Sequence, residues 1–206
     1  ASKNAIFNIV INSGVTGYTE TLTDPAFFGE GIVFGVSQVG NNRVNMEECE
    51  SQGIYASAVI FNSIANYTDV SISNSSNEEG IFSHIMTIQE FLKRFDVPGI
   101  TEVDIKLLIK EIKQNGITKA AICDKIDDIE IIKEEIQNYN VNNSCSRIST
   151  DSIKSYGRTK AKQVAIIDLG VKDSIINEFL KRDVGVTIYP VKVSAEILLA
   201  TRPNGI

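Results

Sequence analysis

Tryptophan is absent from this 206-residue chain, histidine occurs once, methionine twice, cysteine three times and proline four times. Each scarcity narrows the chemistry. A mechanism built on imidazole has only His84 to use, and its setting in F-S-H-I-M beside a polar stretch reads as structural or surface rather than catalytic. Cys49, Cys123 and Cys145 lack metal-ligand spacing, and their odd number leaves one unpaired, so neither a zinc centre nor a disulfide framework is expected. None is set as an activated thiolate: Cys49 is flanked by glutamates, Cys123 ends an apolar run and Cys145 lies in a polar connector. No apolar run approaches the roughly 20 residues that span a bilayer, and the first residues lack a basic segment followed by an apolar one. A cytoplasmic protein without membrane contact is the expectation. No G-x-x-x-x-G-K-[ST] loop occurs, and the L-G-V-K after Asp168 is too glycine-poor for a dinucleotide fingerprint, so no nucleotide or other cofactor is expected on this chain.

What is present is 43% hydrophobic residues with a net charge of -6, enough for one sizeable core or two small ones and the wrong sign for a nucleic-acid partner. The charge is uneven. Residues 1–150 carry 20 acidic and 11 basic side chains, whereas 151–206 carry 6 and 9, which supports two units joined near residue 150.

The first unit, residues 1–139, opens with strand-type runs at 5–11, 31–36 and 54–61. The polar loop between the last two contains Gly40, Asn41 and the acidic Glu47, Glu48 and Glu50, a cluster that reads as solvated rather than as a cation site. Residues 69–80, rich in Ser, Asn and Glu, read as a mobile loop. Thr87 with Glu90 forms a capping-box pattern before the helical stripe Ile88, Phe91, Leu92 and Phe95. Thr101 and Asp104 start a second helix with Val103, Leu107, Leu108 and Ile112 as its buried stripe and Asn115-Gly116 as its stop. A strand at 119–123 and a helix from Asp128 to about Tyr139 complete the unit. Residues 140–162 read as a connector without sustained periodicity. From 163 to 206 the pattern alternates β-α-β-α, beginning with Q-V-A-I-I-D at 163–168, whose near-continuous apolar character suits a strand buried on both faces of a parallel sheet. Asp168 ends that strand, where open α/β sheets place functional groups, and reads more readily as a turn cap than as such a group. So short an alternation cannot cover both faces of a sheet, which suggests a domain cut within its length.

The densest polar segment is N-S-G-V-T-G-Y-T-E-T-L-T-D-P-A at 12–26, which follows the first strand. Gly14 and Gly17 suit positive φ or a close backbone approach, and Thr23-Asp24-Pro25 suits an Asx-type turn. On the residues alone, an ordinary turn and a shaped functional loop both remain open.

This segment resembles the F-N-T-[GS]-M-T-G-Y-Q-E-x-L-T-D-P-S signature of the small, glutamine-hydrolysing subunit of carbamoyl-phosphate synthetase, matching it at Asn12, Gly14, Thr16, Gly17, Tyr18, Glu20, Leu22, Thr23, Asp24 and Pro25. Gly40-Asn41 is similar to that family's I-G-N, and Phe91-Leu92 with Val97-Pro98-Gly99-Ile100 and Val103-Asp104 to its F-L…I-P-G-I…I-D. The stretch V-A-I-I-D-L-G-V-K-D-S-I-I from Val164 resembles the opening of its class I amidotransferase domain. The resemblance implies an α/β protein: an N-terminal swivelling β/β/α domain, then the first β-α-β-α part of a class I glutamine amidotransferase (flavodoxin-like) domain. It further implies L-glutamine as substrate of the full subunit and ammonia passed to a large synthetase subunit, where ATP and metal are expected. The family's Cys-His-Glu triad lies beyond the residues present, so no catalytic residue is assigned here and the chain alone is expected to be inactive. By family position Ala26 replaces a serine that contacts glutamine, while Asn12, Thr16, Gly17, Tyr18, Glu20, Thr23, Asp24, Gly40 and Asn41 are loop or interface residues. Other departures are Ile105-Lys106 in place of T-R, Arg43 in place of glycine, a polar insertion before Thr87 in place of S-N-W-R, and a short beginning. They mark a divergent member, or a degenerate relative acting as a binding or scaffolding module.

Overall fold

Alternation of β-branched, aromatic and small residues builds two main sheets and a small two-stranded one in the computed structural model, which describes residues 5–40, 43–65, 85–123 and 129–206. The first is five-stranded. It contains β1 (Ala5–Asn12), β2 (Glu30–Phe34), β4 (Ala58–Ile60), β6 (Gly99–Ile100) and β7 (Lys119–Ile122), in the order β6-β4-β2-β1-β7. Neighbours are parallel except β7, which runs antiparallel to β1 with Phe7 opposite Ala120. A two-stranded antiparallel ladder, β3 (Val44–Asn45) with β5 (Ile85–Met86), stands apart from it.

Residue parity sorts the core into two layers, as a sheet covered on both faces requires. Ile32, Phe34, Val59 and Phe61 face one way, joined by Tyr18 and Leu22 of α1 (Tyr18–Thr23) and by Ile88, Phe91 and Leu92 of α2 (Ile88–Arg94). Phe7, Val33, Ala58 and Ile60 face the other way, against Ile105 and Ile112 of α3 (Ile105–Asn115). The capping box at Thr87 and Glu90 is present in both directions, and the hydrogen bonds from Thr87 hold the Glu90 carboxyl below its usual range. Asp104 caps α3 through the Leu107 amide, and Gly116, at φ 59°, ends it.

Several expectations need correction. Leu107 is 53% exposed rather than part of the α3 stripe, which is Ile105, Leu108, Ile109 and Ile112. With about 100° of turn per residue, Leu107 lies roughly 200° from Ile105, on the outer face. The strand runs at 31–36 and 54–61 shorten to β2 and β4, because a sheet ends where its ladder of backbone partners ends. The connector at 140–162 contains α5 (Ser144–Ile148), β8 (Lys154–Tyr156) and the first residue of β9 (Lys162–Ile167), elements too short to register as periodicity. The helix expected from Asp128 is α4 (Ile129–Asn138); Asp128 itself, like residues 69–80 and His84, lies outside the described residues.

The second sheet has three strands in the order β8-β10-β9, with β10 (Val184–Tyr189) parallel to β9 and antiparallel to β8. Helices α6 (Asp173–Lys181) and α7 (Ala195–Ala200) complete it, the latter capped by Ser194 as its sequence suggests. Gly205 bridges Val164 in parallel on the far side of β9. Among the described residues β9 is fully buried on neither face: Ala165 is buried but Ile167, on the same face, is 40% exposed, and Val164 and Ile166 on the other face are half-buried. The strand has one ladder, to β10, with the Gly205 bridge on its other flank. No helix among the described residues is long and apolar enough to cross a membrane.

Candidate functional site

The polar segment after β1 is anchored from both ends. Asn12 accepts the Gly14 amide through Oδ1 at 2.7 Å and donates from Nδ2 to Thr21 Oγ1 at 3.0 Å. Gly17, at φ 79°, reverses the chain into α1, a conformation that a residue with a Cβ adopts only under strain. The segment, open to reading as a turn or a shaped loop, contains a six-residue helix at Tyr18–Thr23, because buried Tyr18 and Leu22, four apart, lay one face of it on the core. The Tyr18 hydroxyl donates to the Val15 carbonyl at 2.6 Å, its ring meets Phe34 edge-on at 5.7 Å, and burial raises the phenol's pKa.

Thr16, Gly17, Tyr18 and Glu20 line a pocket of about 260 Å³ whose other walls include Arg43 and Glu48. Arg43, which departs from the glycine of the resembled pattern, thus contributes to this site. Gly40 is not a wall of it but is buried at φ 83° against Ile64 and against Ile88, which is. Asn41 lies outside the described residues.

The C-terminal end of α1 leads away from that pocket to a seam with the second sheet. Thr23 is fully buried; its hydroxyl donates to the Thr19 carbonyl at 2.7 Å and accepts the Glu50 amide at 2.8 Å. The Asx turn is present, with Asp24 Oδ1 accepting the Ala26 amide at 2.9 Å, and Ala26 is exposed just after Pro25. Across the seam, Lys172 Nζ lies 3.4 Å from Asp24 Oδ2 and 4.0 Å from Glu50 Oε1. Glu50 reaches the start of α6 twice: its carbonyl accepts the Asp173 amide at 2.9 Å and its Oε2 accepts the Ser174 amide at 3.0 Å. Glu50 belongs to an acidic run that reads as solvated, yet its side chain is only 13% exposed. Nothing in the local pattern distinguishes it from Glu47 and Glu48, since its side-chain partners, Lys172 and Ser174, lie more than 120 residues away.

A cavity of about 510 Å³ opens beside the seam, lined among others by Pro25, Tyr55, Lys154, Asp168, Asp173 and Asn177. Asp168 is the turn cap its position suggests: Oδ2 accepts the Thr150 amide at 2.7 Å and Oδ1 those of Gly170 and Val171, each at 3.0 Å. Tyr55 has its phenol raised by burial, then by Asp168 and Asp173.

Partial burial raises the Asp173 carboxyl above its ordinary 3.8, the Glu50 charge adds to this, and Lys154 opposes it. An acid whose folded pKa is raised binds more protons folded than unfolded, so its charge removes stability as pH climbs through the window above 3.8. Asp173→Asn is therefore expected to match the parent near pH ~3 and to gain on it near pH ~7 in urea unfolding. A variant that loses ground between those two conditions contradicts the account.

Cys49 is not set as an activated thiol. Burial is the main cause raising the Cys49 pKa; a Thr23 hydrogen bond opposes it, while Glu20, Asp173 and Glu48 raise it further. Cys123 is half-buried and Cys145 exposed, all three unbridged. No group of three or more His, Cys, Asp or Glu among the described residues is arranged to hold a metal ion.

Similarity to known proteins agrees with the signature. A family model described as carbamoyl-phosphate synthase small chain, CPSase domain, matches residues 1–122. The carbamoyl phosphate synthase small chain of Listeria monocytogenes serovar 1/2a is 32% identical over 213 residues, covering 100% of this chain and 54% of that protein. That of Bacillus cereus strain ATCC 14579 is 31% identical over 199 residues, covering 96% and 51%. The chain spans about half the length of the curated relatives it matches. The family model stops at the end of the five-stranded sheet, whereas the alignment to the Listeria protein runs on through the second sheet.

Proposed function

Because the chain belongs to the carbamoyl-phosphate synthase small chain family, we propose that it is part of a subunit that takes nitrogen from L-glutamine for carbamoyl phosphate synthesis. In that reaction water replaces the side-chain amide nitrogen, leaving glutamate and releasing ammonia. The ammonia passes to a large synthetase subunit, which holds the ATP and metal and combines it with bicarbonate. The domains on this reading are a swivelling β/β/α domain at 1–139, a connector at 140–162 and the start of a flavodoxin-like amidotransferase domain at 163–206, in a cytoplasmic protein.

The observation that carries the reading is the segment from Asn12 to Ala26, which keeps the signature in register and leads from a pocket at Thr16 and Glu20 to the seam at Asp24. Its residues serve as interface and loop positions, with Ala26 at the place of a glutamine-contacting serine. On this reading no nucleophile is assigned among these residues. Burial raises the Cys49 thiol, and the only histidine of the sequence is His84.

The test has two parts. The whole subunit, co-expressed with its synthetase partner, is expected to make carbamoyl phosphate with glutamine as nitrogen donor. The purified 206-residue chain is expected to release no ammonia from glutamine above the buffer rate. Synthesis that accepts free ammonia but never glutamine would favour instead a degenerate relative that binds or scaffolds, for which Ala26 and the other departures argue.

A further inference from the structure

Four contacts converge on one residue of the seam. The Glu50 amide donates to the buried Thr23 hydroxyl, its carbonyl accepts the Asp173 amide, its Oε2 accepts the Ser174 amide, and its Oε1 faces Lys172. Helix α6 needs this. Lys172, at its N-cap, makes no side-chain cap, so two of the free amides of the first turn are met from the other sheet's loop. The carboxylate also lies at the positive end of a nine-residue helix, where negative charge is favoured. The neighbouring backbone is close as well: a Cβ added at Gly170 would lie 2.9 Å from Pro25 Cβ and 2.8 Å from Ile148 Cδ1.

From this geometry we propose that Glu50 is a positioning residue that clamps the start of α6 and Lys172 onto the Thr23-Asp24-Pro25-Ala26 end of the signature segment. It touches no substrate in this role. Its effect runs through Thr23 and Asp24 on one side and through Lys172, Asp173 and Ser174 on the other, so that the exposed Ala26 keeps one placement relative to the second sheet. The functional half of the inference rests on the glutamine-using reading above.

The side chain and the main chain of Glu50 make separable contributions. Glu50→Ala keeps the carbonyl for Asp173 but removes both carboxylate contacts. Glu50→Gln keeps an oxygen for Ser174 and gives up the charge facing Lys172. The variants are tested in the whole subunit assembled with its synthetase partner, with two readouts. In native-state hydrogen exchange, Glu50→Ala is expected to speed the Ser174 amide by about tenfold or more, and Glu50→Gln to restore most of the protection. In turnover, Glu50→Ala is expected to lower kcat/KM for glutamine by about tenfold while synthesis from free ammonia stays at the parental rate.

Unchanged exchange at Ser174 in Glu50→Ala overturns the clamp. Faster exchange with unchanged glutamine kinetics overturns the positioning role. A parental assembly that uses ammonia but not glutamine would refute the functional reading, and with it the positioning half, while the exchange result would still decide the clamp.

Discussion

Phe7→Ala is expected to destabilise the chain by about 3–5 kcal/mol, the range for deleting a fully buried phenylalanine. Phe7 is 0% exposed on β1 and shares a core cluster with Val33 of β2, Ala58 and Ile60 of β4, and Ile105 and Ile112 of α3. The ring fills the space that glycine leaves at position 31: a Cβ there would lie 2.0 Å from Phe7 Cδ2. Cavity and steric block are thus two sides of one contact. Gly31→Ala alone is expected to cost about 1–3 kcal/mol or more, because the ring must leave its rotamer or the strands must part. Combining Phe7→Leu with Gly31→Ala should cost less than the two single changes added together, with a coupling of about 0.5–3 kcal/mol. Urea unfolding followed by far-ultraviolet circular dichroism measures all four corners of the cycle. Simple additivity would mean that the ring and the glycine do not constrain each other.

The second large effect is expected at Asp168. Its carboxylate, in a residue only 7% exposed, accepts three backbone amides, two in the turn after β9 and one from Thr150 across the connector. Alanine leaves all three donors without their acceptor. At about 1–3 kcal/mol for a buried donor, discounted because the turn amides can reach water, the total loss is roughly 3 kcal/mol. Asn keeps one carbonyl oxygen and turns the other site into a donor facing a donor, so Asp168→Asn is expected to lose a substantial part of that stability as well. The loss should be read from the unfolding transition of the whole chain. It should also show in hydrogen exchange, where the Thr150 amide is expected to lose protection in Asp168→Ala. Full protection at Thr150 in that variant would mean that another group holds the connector.

Much of this architecture is legible in the order of residues. Thr87 with Glu90, Asp104 with Gly116, and Ser194 are local devices: each cap is satisfied within four residues of itself or marks its own helix end, so a linear reading contains the whole interaction. The same holds for the Asx turn at Asp24 and for the turn cap that Asp168 makes with Gly170 and Val171. The signature from Asn12 to Ala26 was likewise open to inspection, and its match to the small chain family stands.

Other features were hidden for a definite reason. The outward turn of Leu107 depends on where α3 begins, and a shift of one residue in the start moves every side chain by about 100° around the axis. The antiparallel placement of β7 beside β1 and the partial exposure of β9 depend on which strands become neighbours, which a run of apolar residues does not encode.

What the sequence by itself determined is the family, the helix caps and most of the strand-forming runs, since these rest on neighbours along the chain. Only the tertiary structure decided that Glu50, alike in pattern to Glu47 and Glu48, leaves solvent to hold Thr23, Ser174 and Lys172 together. The reason is physical. A carboxylate's role is set by the donors it faces, and those of Glu50 come from Ser174, 124 positions after it, and the nearby Lys172.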